Sequence, residues 1–239
     1  MNNLYRDLAP ISAAAWAQIE DEASRTLKRY LGARRVIDVH GPKGYDLSAI
    51  GTGHIRPVDP IADGVHSAQR EVSPLVELRV PFTLTRSAVD DVARGSNDSD
   101  WQPLKDAARQ IALAEDRLVF DGYASAGIKG MLPETSNPTV ALPKDASDYP
   151  QAVARAVSQL RLAGVNGPYA LVLGTAAFTA ATGGAEDGYP VANHLKKLVD
   201  ADIVWSEALK GGAVVTTRGG DFDLYLGQDI SIGYLSHRS

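Results

Sequence analysis

Thirty-four residues, 41–74, carry nine glycines and prolines: Gly41, Pro42, Gly44, Gly51, Gly53, Pro57, Pro60, Gly64 and Pro74. Proline removes a backbone donor and clashes inside a helix, and glycine weakens one, so no helix survives that spacing. Only short extended pieces fit between the breakers. A compact domain rarely makes so long an excursion without a use for it. Two readings are open: a mobile surface loop, or a two-stranded arm that pairs with another chain through its free edge.

The other elements supply a core. Over 12–31, Trp16, Ile19, Ala23 and Leu27 recur at helical spacing, Ser12 is a candidate N-cap and Gly32 a stop. "RRVIDV" and "LVELRVPFTLT" (75–85) read as strands. The longest predicted helix spans 99–122, capped by Ser99 or Asp100, with Pro103 in its first turn and Leu104, Ala108, Ile111, Glu115 and Leu118 on one stripe. A further helix is expected over 148–163, then a buried strand in "PYALVLG" and a short helix. After those come the Gly-rich acidic turn "TGGAEDGYP" (182–190), a helix over 191–199, and strands near 202–205, 213–217 and 221–234. The sum is an α+β chain of 239 residues, long enough for a substantial core.

Catalytic patterns are missing from the sequence. With no cysteine there is no disulfide, thiolate metal site or cysteine nucleophile. None of the five histidines, His40, His54, His66, His194 and His237, has a histidine partner three or four residues on, so no zinc-binding helix is expected. "GTGH" (51–54) lacks the third glycine and following helix of a dinucleotide fingerprint. Asp221 and Asp223, two apart, would share one face of a strand. Acid–base work is one reading of them; the solvated side of a half-buried strand is the reading we adopt. A net charge of −5 argues against a nucleic-acid binder. No secretory signal or membrane-length apolar run is visible, and the absence of cysteine fits a cytoplasmic protein.

Several segments, in this order, carry a family resemblance: "MNNLYRDLAPISAAAWAQIE", "RRVIDVHGPKG", "VPFTLTRSAVDDVARGSNDSDWQP", "ALAEDRLVFDGY", "LAGVNGPYALVL", "DGYPVANHLKKLV" and "TRGGDFDLYLGQDISIGY". Together they resemble the encapsulins, linocin-type bacterial shell proteins of the HK97 phage capsid-like fold. The resemblance implies an N-terminal helix and first P-domain strand (1–45), an extended E-loop (46–74) that pairs with a neighbouring subunit, and a P-domain with a spine helix (75–132). It further implies an A-domain (133–216) and strands returning to the P-domain (217–239), where the family's further C-terminal structure is absent.

The implied function is a self-assembling icosahedral cage, about sixty copies in its smallest form. Such a cage encloses a dye-decolorising peroxidase or ferritin-like cargo held by a C-terminal targeting peptide. No enzymatic role, metal, membrane or nucleic-acid partner is expected. The resemblance places Arg34, Asp38, Val39, Asp229 and Ile230 at the cargo-peptide site, with Arg34 and Asp38 as opposite charges at a strand start. It places Gly183, Gly184, Glu186, Asp187, Gly188 and Tyr189 at the rim of a five-fold pore that favours cations. Some relatives bind flavin beside a tryptophan; Ser87 stands there here, so no cofactor is expected. Competing functions are a bacteriocin or protease, as the family was formerly described, and a DNA-packaging phage capsid protein.

Overall fold

Two side-chain caps start the helical layer. The Ser12 hydroxyl accepts from the Ala15 amide at 3.2 Å, and Thr85 does the same for Ala88 at 3.2 Å. Each satisfies one of the donors that a helix start leaves orphaned. The helices that follow are α1 (Ala13–Tyr30) and α2 (Arg86–Ala93). The longest, α3 (Gln102–Phe120), has Pro103 in its first turn, and the Asp100 carboxylate accepts from the Gln102 amide at 3.0 Å. In this computed structural model residues 3–186 and 188–237 are described. Ala15, Ile19 and Ala23 of α1 bury against Val92, Trp101 and Leu104. Small side chains on α1 let the three helices approach closely.

The second layer is a three-stranded sheet. Its strands lie in the order β10 (Gly212–Thr216), β6 (Tyr169–Leu173), β9 (Ile203–Trp205), antiparallel then parallel. All five residues of β6 are buried. Tyr169, Leu171 and Leu173 join a core with α4 (Tyr149–Leu162), α5 (Thr175–Gly183) and α6 (Val191–Val199). Ala170 and Val172, on the opposite face, pack with Ala33, Val36 and Phe120 at the end of α3. A strand covered on both faces reads as a continuous apolar run, and "YALVL" does.

Asp116 ties the two layers together. Fully buried on α3, its carboxylate accepts from the Gly32 amide (3.1 Å), the Ala33 amide (3.0 Å) and the Ser206 hydroxyl (2.6 Å). Burial pushes its pKa up despite these three bonds, which pull the other way. Gly32 ends α1 for a packing reason: a Cβ there would stand 2.9 Å from both the Ser206 Cβ and the Trp205 carbonyl oxygen.

The remaining strands are short pairs, apart from the arm. β1 (Asp38–His40) runs parallel to β11 (Asp223–Tyr225). The antiparallel arm is β2 (Ala49–Val58) with β3 (Ser67–Pro74), its register shifting between Gly51 and Ile55. β4 (Gly122–Tyr123) pairs with β5 (Ile128–Lys129), and β7 (Ala185–Glu186) with β8 (Tyr189–Pro190).

Three strand expectations are corrected. Residues 75–85 form no strand: Val80, Phe82 and Leu84 are half-buried in alternation, with Phe82 and Leu84 against the α1–α3 core, yet the segment has no ladder. In 221–234 only 223–225 is strand, and within 34–39 a one-turn 3-10 helix (Ala33–Arg35) precedes β1. Alternation reports which side is buried; a strand also needs a neighbour to accept its backbone bonds. The helix α2, which we did not expect, fills the gap before α3.

Candidate functional site

Arg34 is the centre of a small charged cluster. It leaves the 3-10 turn at 33–35 and meets Glu115 of α3 edge-on: Nε donates to Oε1 at 2.6 Å, Nη2 to Oε2 at 2.7 Å. Nη2 also donates to Asp229 Oδ1 at 2.8 Å. The planar fork of a guanidinium suits two carboxylates at once. Only 18% of the Arg34 side chain is exposed. The Glu115 hydrogen bond is the largest influence on Arg34 and raises its pKa; burial opposes it. Burial would push the Asp229 carboxyl up, but the Arg34 hydrogen bond, the Ile230 amide (2.7 Å) and the Arg34 charge hold it below the ordinary carboxylate range.

The five residues placed here from sequence therefore divide. Arg34, Asp229 and the adjoining half-buried Ile230 come together. Asp38 does not pair with Arg34: its Oδ2 accepts from the Gly220 amide at 2.6 Å. It lines a separate cleft of about 190 Å³ with Arg35, Ile37, Thr217, Asp221 and Phe222. Strand alternation sends Val39 to the face opposite Asp38 and His40, and Val39 is exposed. Sequence reasoning missed Glu115 as a partner. Its position on the apolar stripe of α3 was the available signal, because a carboxylate taken out of water needs a cation or hydrogen-bond donors.

The Asp221–Asp223 pair dissolves into two separate contacts. Arg218 donates to Asp221 at 2.8 and 2.9 Å, and His40 Nε2 lies 2.7 Å from Asp223 Oδ1 while its ring stacks on Tyr225. Each carboxylate has its own hydrogen-bonding partner.

At the β7–β8 hairpin, Glu186 Oε2 lies 2.9 Å from His194 Nδ1. The Tyr189 ring stacks on His194 with centroids 4.5 Å apart, and Lys197 Nζ sits 4.9 Å from the centre of the same tyrosine ring. Gly183 ends α5 and Gly184 follows as its C-cap; of the three glycines expected to turn the chain, only Gly188 takes a left-handed φ, +80°. Asp187 lies outside the described residues. His194 was also missed from sequence. It is eight residues from Glu186, and only the fold-back of the hairpin onto α6 joins them.

Among the described residues no three His, Asp or Glu side chains gather as a metal site, and no helix is long and apolar enough to cross a membrane.

Over residues 1–239 the chain matches the family described as "Encapsulating protein for peroxidase". It is 58% identical over 237 residues to the type 1 encapsulin shell protein of Rhodococcus erythropolis, an alignment covering 99% of this chain and 90% of the relative. The type 1 encapsulin shell protein of Mycobacterium tuberculosis is 52% identical over 237 residues, with 99% and 89% covered. A crystal structure of a virus-like particle from Pyrococcus furiosus superposes with a TM-score of 0.61 at 13% identity, over 90% of this chain and 84% of that one. That likeness speaks to fold alone, and with the family match it gives an α+β, HK97 capsid-like architecture. The chain belongs to the encapsulin shell-protein family.

Proposed function

We propose that this protein is the shell subunit of a cytoplasmic nanocompartment, a closed icosahedral cage of about sixty copies, and that its role is structural. The observation that carries this reading is the arm. β2 and β3 pair with each other and pack extensively on no other element among the described residues. Along it Ile55 (66% exposed), Ile61 (87%) and Val72 (57%) face water. A lone hairpin is marginal in water, and apolar groups along an edge invite a partner. A neighbouring copy is that partner, with residues 46–74 as the E-loop, α3 as the spine of the P-domain (75–132) and the β10–β6–β9 sheet at the heart of the A-domain (133–216).

In this reading cargo with a C-terminal targeting peptide, a peroxidase or ferritin-like enzyme, docks beside Arg34, Asp229 and Ile230, with exposed Val39 as an apolar contact. Asp38 contributes from the adjoining cleft. Segment 182–190 rims the five-fold opening, where Glu186 and Asp187, repeated about the axis, favour cations over anions. Electron micrographs of the purified protein test the cage directly: closed particles are expected, and a monodisperse monomer at every concentration overturns the reading. Co-expression with a tagged cargo tests docking. Arg34→Glu is expected to leave particles intact and empty; full loading removes Arg34 from the site.

A further inference from the structure

The hairpin of β7 and β8 is held to α6 by contacts that meet on one imidazole. His194 touches Glu186 through Nδ1 at 2.9 Å and Tyr189 through its ring face at 4.5 Å. Strands of two residues each cannot hold a hairpin by their ladder alone. Further fastenings are the Val191 amide bond to the Gly184 carbonyl at 3.1 Å and Lys197 of α6 over the Tyr189 ring at 4.9 Å. Two of these contacts meet on His194, so part of the hairpin's hold passes through that ring.

We propose that His194 is a proton-controlled latch on the 185–190 hairpin, closed when the ring is an imidazolium and loosened when it is neutral. The cation strengthens both contacts. A charged donor to a carboxylate makes a stronger hydrogen bond than a neutral one, and an imidazolium against the face of a tyrosine adds attraction from the ring quadrupole. Neutral imidazole keeps the Glu186 bond only by placing its single proton on Nδ1, at the cost of tautomer freedom. Glu186 and His194 are both partly exposed, so protons reach them without opening the fold.

Among the described residues, which do not include Asp187, the surroundings leave this switch to His194. Lys197, one turn on, lies over the Tyr189 ring and opposes a second cation there, which moderates the latch without cancelling the contact to Glu186. On α4, Arg155 is held by Gln151 and Arg161 lies over Tyr169. The Tyr169 hydroxyl of β6 donates to the Val165 carbonyl. Neither α5 nor β9 has a titratable side chain, and Lys196 is tied to Asp202 at 2.7 Å. Beneath β7, Asp145 accepts from the Ser147 amide and Asp148 precedes α4. Among the described side chains here, imidazole is the one whose type ordinarily changes charge between about pH 5 and 8.

A consequence for the cage rests on the rim reading above. When His194 is protonated, the Glu186 charge is neutralised at contact and the opening loses part of its pull on cations. Cation entry would then slow on acidification.

Hydrogen exchange of the assembled protein, followed by mass spectrometry at about pH 5.5 and 8.0 and normalised to intrinsic amide rates, reads the latch. Peptides spanning 184–191 are expected to be about five-fold better protected at the lower pH. That difference should fall below about two-fold in both His194→Gln and Glu186→Gln, with the α4 and β6 peptides unchanged. Equal protection at both pH values in the parent protein, or a pH difference that survives in either variant, overturns the latch. The position of the hairpin in an electron-density map of the cage is read independently. A hairpin away from the five-fold axis that still latches overturns the rim and spares the latch; one at the axis with pH-independent protection does the reverse.

Discussion

The arm and the β10–β6–β9 sheet are both built on paired backbone, and they differ in everything else. In β6 all five side chains are buried, against helices on one side and the end of α3 on the other. In β2 and β3 nearly every side chain is exposed. The sheet is stable because burial adds to its ladder; the arm has the ladder without the burial. Hydrogen bonds exchanged with water contribute modestly, whereas apolar area removed from water supplies most of the driving force. The sheet is thus complete within one chain. In the reading proposed above, the arm is specified by one chain and finished by a second.

The largest effect expected from breaking this contrast is in the sheet. Leu171→Ala leaves a cavity between β6 and α4–α6 and should cost about 2–5 kcal/mol of subunit stability, read from urea unfolding of disassembled subunits. A loss below about 1 kcal/mol would mean that the sheet is not the keystone we take it to be. Next comes the tie between layers. Asp116→Asn keeps the shape but can accept on one side only, so the Gly32 or the Ala33 amide is left buried without a partner. The expected cost is about 1–3 kcal/mol. Unchanged stability would show that Ser206 and water reorganise to replace the carboxylate.

A smaller effect is expected where the segment after β11 meets the 3-10 turn. The Asp229 carboxyl is held below the ordinary range, mainly by the Arg34 bond working against burial. A depressed folded-state pKa contributes stability that is complete above the unfolded value, about 3.9, and is lost as pH falls through the folded value. The parent protein should therefore be more stable than Asp229→Asn at neutral pH, and the gap should close below about pH 4. A gap that is constant with pH would assign it to packing instead of charge.

How much of this was legible in the sequence follows the same divide. Helix α6 was placed to the residue, and β6 within a position or two, because periodic apolar residues report burial inside one chain. The arm was legible as an excursion because Gly and Pro forbid anything else at 41–74. Segment 75–85 misled: Val80, Phe82 and Leu84 alternate as a strand would, since they do pack on one side, but no neighbour within the chain meets their backbone. Arg34 and Asp229 were grouped through the resemblance, whereas Glu115 and His194 were not. Their partners lie on other elements, and no local spacing encodes a contact made by folding.

The smallest effect on the subunit is expected in the arm, and there the contrast becomes sharpest. Ile55 and Val72 touch little of their own chain, so Ile55→Asp with Val72→Asp removes almost no intrachain burial. Exposed substitutions of this kind usually fall within about 0.5 kcal/mol, and the urea midpoint of isolated subunits should move no further. Assembly is another matter. If a neighbouring copy covers the arm, each new carboxylate must be desolvated at the contact without a partner, a cost repeated at every such interface in the cage. Light scattering should then show subunits or small oligomers in place of closed particles. Particles forming at the parent protein's concentration would mean that the apolar side of the arm stays in water after assembly, and that β2 and β3 serve some purpose other than joining one copy to the next.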